Sequence, residues 1–127
     1  MSTQQFPHTA MVVETNFLVA SVIEAPLANT GYRVLIATDP AEAFTLMDAH
    51  QVHLALIDFR LHHGGPEGLV AELDRRGIPF IICTAASAEE VCEHFPGARV
   101  VLKPFSDDDL VAAVTALSSP ERFYQGA

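Results

Sequence analysis

The chain has no tryptophan, a single lysine and two cysteines in 127 residues. Each shortage narrows the possibilities. Cys83 and Cys92 fall inside predicted elements without metal-ligand spacing, so they read as small core or surface residues of a reducing compartment. Basic side chains are scarce, seven against sixteen acidic ones, for a net charge of −9. Such a surface repels phosphate backbones and anionic lipid, and neither nucleic acid nor membrane is expected as a partner. No apolar stretch approaches the ~18 residues of a membrane span. The segment Met1–His8 lacks the charged and apolar regions of a secretion signal, so the expected location is cytoplasmic. Apolar residues, by contrast, are plentiful at 50%. That content excludes disorder, and the length suits one domain with one core.

Apolar runs alternate with helical patterns along the chain. Ala10–Val13 predicts a first strand ending at Glu14. Asn16 caps a helix with Phe17, Ala20, Ile23 and Leu27 at roughly helical spacing, closed near Asn29-Thr30-Gly31 and kinked at Pro26. Arg33–Ala37 predicts the second strand, and Thr38 or Asp39 opens a helix with Pro40 in its first turn. His53–Asp58 predicts the third strand. A loop, Arg60–Pro66, leads to a helix through Leu69, Val70 and Leu73 that stops at Gly77. Pro79–Thr84 is the fourth strand, Ser87 to about His94 a short helix, and Arg99–Leu102 the fifth strand. Ser106 with Asp107, Asp108 and Asp109 starts a last helix, whose core stripe is Val111, Val114 and Leu117. The expected boundaries are a lead-in over 1–8, a domain over 9–118 and a tail over 119–127. This alternation calls for a doubly wound parallel α/β sheet covered by helices on both faces. Ligands of such sheets sit outside the carboxyl ends of the strands, where the winding reverses.

Every strand-end polar residue lies there. Asp58 closes Leu54–Ile57, the sole lysine Lys103 closes Val100–Leu102, and Glu14 and Thr84 end two further strands. Two carboxylates at a rim suit a hard cation such as Mg2+. A cation beside a carboxylate nucleophile supports phosphoryl transfer, with Lys103 and the Thr84 hydroxyl meeting phosphoryl oxygens.

These residues resemble a family, the receiver domain of two-component response regulators. The similarity spans about Thr9 to Leu117. It rests on Val12-Val13-Glu14, Leu56-Ile57-Asp58, Thr84-Ala85 and Lys103-Pro104-Phe105, four motifs in order, each at a strand end. The resemblance implies a flavodoxin-like (βα)5 fold with strand order 2-1-3-4-5. It implies Asp58 as phospho-acceptor, Thr84 and Lys103 as its helpers, and Mg2+ held by Glu14, Asp58 and the backbone carbonyl of Arg60. The implied partners are a histidine kinase or phosphotransfer protein and an output protein, with a homodimer through the fourth helix, fifth strand and fifth helix as a further option.

Three positions depart from the family pattern. Thr15 stands where a second acid normally contacts the metal, which should weaken Mg2+ binding and slow phosphorylation. Val100 stands where a switching aromatic is frequent, and His62 where a proline is usual. Two readings follow: a stand-alone receiver signalling by protein contact, since no output domain fits after Leu117, and a phosphorylation-independent pseudo-receiver used as a binding module. An aspartate-nucleophile phosphatase would need an acid at Arg60, and a flavin protein a hydroxyl-rich loop in place of Glu14–Phe17. No enzyme is therefore expected beyond limited self-phosphorylation and dephosphorylation chemistry. The pair His62-His63 reads as solvated loop residues, His53 as structural, and Gly64-Gly65 lacks the Lys-Ser/Thr of a phosphate loop.

Overall fold

The computed structural model describes residues 8–61, 66–85 and 87–118. Five strands alternate with five helices: β1 Thr9–Val13, α1 Phe17–Asn29, β2 Arg33–Ala37, α2 Pro40–Ala49, β3 Leu54–Asp58, α3 Glu67–Arg76, β4 Phe80–Thr84, α4 Ala88–His94, β5 Arg99–Leu102 and α5 Asp107–Ser118. The strands form one sheet in the order β2-β1-β3-β4-β5, with every neighbouring pair parallel. The winding therefore reverses between β1 and β3. The expected flavodoxin-like architecture is present.

Local chemistry explains the helix ends. The Asn16 side chain accepts the Leu18 amide at 2.9 Å and starts α1. Asp39 accepts the Glu42 amide at 2.8 Å while Glu42 accepts the Thr38 amide at 2.7 Å, a reciprocal cap on α2. The same reciprocity opens α5, where Ser106 Oγ accepts the Asp109 amide at 3.0 Å and Asp109 accepts the Ser106 amide at 3.3 Å. The α3 helix stops at Gly77, whose φ of 72° is the left-handed conformation that glycine adopts without a Cβ penalty. Within α1, Pro26 is accommodated without ending the helix; it is buried, and its carbonyl accepts the Thr30 amide and hydroxyl.

Side chains alternate between two cores, one on each face of the sheet. Met11, Val13, Ala55, Ile57 and Ile82 pack under α2, α3 and α4 residues such as Met47, Leu73 and Val91. Ala10, Val12, Leu54, Leu56, Ile81 and Cys83 pack under α1 and α5 residues such as Ile23, Leu27, Leu110 and Val114. Burying both faces explains why β1, β3 and β4 are almost uninterrupted apolar runs.

Several expectations need correction. Of the helically spaced residues of α1, Ala20, Ile23 and Leu27 are buried, whereas Phe17, at the first position, is 59% exposed. His53 precedes β3, which begins at Leu54, and Pro79 precedes β4. In α5 the fully buried residues are Leu110 and Val114, whereas Val111 is half-buried. Cys83 is buried and Cys92 exposed, both as free thiols. His62, His63, Gly64, Gly65 and the tail over 119–127 lie outside the described residues.

Candidate functional site

At the carboxyl ends of the central strands, backbone bonds carry the ladder one residue past each strand. The Glu14 amide donates to Ala37 O at 3.0 Å, the Phe59 amide to Cys83 O at 3.1 Å, and the Lys103 amide to Thr84 O at 2.7 Å. These bonds fix the rim residues on a rigid frame. The Lys103–Pro104 peptide is cis.

Three predicted residues meet directly. Lys103 Nζ lies 2.8 Å from Glu14 Oε1 and 3.5 Å from Asp58 Oδ2. The lysine therefore bonds Glu14 and reaches Asp58 only as a looser ion pair. Each carboxylate has a second anchor: Glu14 accepts the Asn16 amide at 3.2 Å, and Asp58 Oδ1 accepts the Arg60 amide at 3.1 Å. Thr84 is fully buried at the end of β4 and joined to Lys103 through its carbonyl. Thr15 is half-buried beside Glu14.

The electrostatics follow from burial. Glu14 is only 4% exposed. Its carboxyl pKa is raised above the usual glutamate value, first by burial and further by the Asp58 charge; the Lys103 hydrogen bond and the Asn16 amide oppose this without cancelling it. Burial works against the Lys103 ammonium, but the Glu14 hydrogen bond and the Asp58 and Glu14 charges outweigh it and raise its pKa. Lys103 is thus a fixed cation, and Glu14 an anion held at a cost. Beneath them, burial pushes the Cys83 thiol up to about 12, which leaves it inert as a nucleophile.

The donor set suits a hard divalent cation. Mg2+ is bound through one or two carboxylates and keeps several waters. Glu14, Asp58 and the Arg60 carbonyl supply oxygens of that kind. The raised Glu14 pKa marks a carboxylate short of positive charge, which a cation would relieve. Among the described residues, however, no three His, Cys, Asp or Glu side chains gather in one place.

Two features around the rim are not evident from strand-end motifs. Arg60 reaches across to Glu90 of α4, 3.6 Å away, and ties the loop after Asp58 to that helix. Beside Lys103, an apolar cleft of about 360 Å³ is lined by Val19, Val22, Ile23, Ala85, Pro104 and Phe105. Next to it α1 exposes Phe17, Leu18 and Val22. The only signal for this in the sequence is that α1 carries more apolar residues than one buried stripe requires.

The model of the response regulator receiver domain matches residues 10–115. The chain belongs to the response regulator receiver domain family. It is therefore a signalling domain of two-component systems. The CheY-like receiver domain protein of Methanospirillum hungatei JF-1 superposes with a TM-score of 0.78 at 25% identity, covering 92% of this chain and 98% of that one. The receiver domain of the Francisella response regulator 1452 gives 0.74 at 27%, covering 87% and 95%. The response regulator PhyR from Brucella abortus gives 0.82 at 28%, covering 95% of this chain and 51% of that one. Among curated proteins, the probable transcriptional regulator ycf27 of Cyanophora paradoxa is 28% identical over 113 residues, 84% of this chain and 46% of that protein. The receiver thus spans about half the length of the curated relatives it matches. Their designation as probable transcriptional regulators does not fit the expectation that nucleic acid plays no part. The charge argument concerns contact by this acidic domain alone. Among the described residues no helix is long and apolar enough to cross a membrane.

Proposed function

We propose that Asp58 accepts a phosphoryl group from a histidine kinase or phosphotransfer protein and that the domain passes the signal on by protein contact. The observation that carries this reading is the Lys103 ammonium lying between the Glu14 and Asp58 carboxylates at the winding reversal. In the transfer, an Asp58 oxygen attacks phosphorus, a P–O bond forms, and the bond to the donor breaks with its electron pair leaving on the donor. Lys103 neutralises the phosphoryl oxygens, and the Thr84 hydroxyl offers them a hydrogen bond. Glu14, Asp58 and the Arg60 carbonyl would hold Mg2+, which supplies charge neutralisation for the transferred group. The apolar cleft beside Lys103 and the exposed Phe17, Leu18 and Val22 give the phosphodonor protein a surface to cover.

A second reading, a pseudo-receiver acting without phosphorylation, is favoured by one observation. Lys103 is bonded to Glu14 and sits farther from Asp58. With Thr15 beside Glu14, the rim would then be a structural ion-pair cluster centred on Lys103 and Glu14. Incubation with phosphoramidate and Mg2+, followed by intact mass measurement, separates the two. The receiver reading expects a mass gain of one phosphoryl group that is absent in Asp58→Asn. No gain in the wild type, under conditions where another receiver is modified, supports the pseudo-receiver.

A further inference from the structure

At the amino end of the sheet, opposite the acidic rim, two histidines meet. The rings of His8 and His53 stack with centroids 4.5 Å apart and planes 19° from parallel. His53 exchanges two bonds with the first residue of β1. Its amide donates to Thr9 O at 2.8 Å, and the Thr9 amide donates to His53 Nδ1 at 2.9 Å. Because β3 begins only at Leu54, the imidazole supplies the acceptor that a longer strand would have supplied from its backbone.

That second bond is possible only while Nδ1 carries no proton. The neutral ring with its hydrogen on Nε2 accepts; the imidazolium presents N–H against the Thr9 N–H. Protonation also places a positive charge face to face with His8. Among the described residues, the other titratable neighbours give no anion to offset it. Tyr32 lies 6.4 Å from the His8 ring, and Arg33 donates its backbone amide to His8 O at 2.8 Å. Burial first and His8 second hold the His53 pKa below its ordinary value of 6.5, and no carboxylate figures among the causes.

We propose that His8 and His53 form a pH-sensitive clasp, which fastens the start of β1 to the lead of β3 while His53 is neutral and releases it when Nδ1 takes a proton from solvent. The sign of the effect is fixed by the depressed pKa. The clasp contributes fully above the unfolded value of 6.5 and is lost as the pH falls through the folded value. Release acts locally, on Thr9 and the chain entering it, since the rest of β1 is held by β2 and β3 on both sides.

NMR on the full chain tests this by following the His53 ring and the Thr9 amide through a pH titration. The His53 ring should titrate below free histidine. The protection of the Thr9 amide against exchange, corrected for intrinsic pH dependence, should fall about tenfold per pH unit below that value. His53→Asn keeps an oxygen acceptor near the Nδ1 position without titrating, so Thr9 should stay protected with no pH step. His8→Ala should move the step to higher pH. A Thr9 protection that ignores the His53 titration, or a step that persists in His53→Asn, overturns the proposal. So does a step moved to lower pH in His8→Ala.

Discussion

Two glutamates, each beside basic side chains, titrate in opposite directions. Glu14 sits at the buried rim with Lys103 at 2.8 Å, and its pKa is raised. Glu72 sits on the α3 flank and is pulled down to about 2, first by the Arg75 hydrogen bond and then by Arg76. Arg76 is itself held at 2.6 Å from Glu72, 2.7 Å from Asp48 and 2.9 Å from Met47 O, which clips α3 to α2. The difference lies in solvent and neighbours. Glu14 is stripped of water and shares its cation with a second carboxylate, whereas Glu72 keeps part of its hydration and faces two guanidinium groups. A cation alone does not make a comfortable carboxylate. The rim is an under-neutralised cluster of two carboxylates and one ammonium, while the flank is a finished structural clip.

The two shifts have opposite linkage. A raised carboxyl favours the fold in its protonated form, so the Glu14 contribution is complete below its unfolded value of 4.5 and is lost as pH rises through its folded value. The Glu72 contribution is present above 4.5 and is lost as pH falls toward about 2.

The contrast can be broken from the rim side most strongly. Lys103→Met removes the cation bonded to Glu14 and leaves two carboxylates together. We expect a loss of about 1–3 kcal/mol in denaturant unfolding at neutral pH, below the full cost of breaking a completely buried pair because Lys103 is partly solvated. The Glu14 carboxyl, followed by 13C NMR, should titrate still higher. Unchanged stability would mean that Lys103 contributes nothing to the buried acid.

Adding an acid sharpens the same point. Thr15→Asp should raise Mg2+ affinity roughly tenfold, the equivalent of about 1.4 kcal/mol of added attraction, and speed phosphorylation. Calorimetry is the suitable readout because the chain has no tryptophan. Equal affinities would show that position 15 does not face the metal.

Neutralising each glutamate gives the smaller effects. Glu14→Gln should stabilise the fold at neutral pH by about 1 kcal/mol or less, with the gain vanishing below pH 4.5, as read from thermal unfolding across pH. Glu72→Gln should lower Tm slightly at neutral pH, and the difference from the wild type should shrink as the pH falls below 4.5. Shifts of the same sign for both variants at neutral pH would erase the contrast.

Much of this architecture is legible along the chain, because strand ends and helix starts are written in local chemistry. Leu54–Ile57 closing on Asp58, Asp39-Pro40 and the Ser106–Asp109 pair each determine their surroundings within a few residues. What is not legible depends on partners far away in sequence. Phe17 satisfies the helical spacing yet faces solvent, because it stands in the exposed first turn of α1. His53 fits the strand pattern, but its ring replaces the backbone pairing that would have lengthened β3. At the rim, the residue types point to one cluster, but the preference of Lys103 for Glu14 over Asp58 is a matter of tertiary placement. The Arg60–Glu90 tie has no sequence signature at all.

The 1H–15N NMR spectrum before and after phosphorylation tests the central claim most directly. If Asp58 is the acceptor and Thr84 and Lys103 read it out, signals from Thr84 to Ala88 and from Val100 to Phe105 should shift. The shifts should be modest because Val100 provides no large ring to swing, and those of Arg33–Ala37 should stay in place. A large rearrangement around Arg33–Ala37, or a phosphorylated chain with no shift near Thr84 and Lys103, would contradict it.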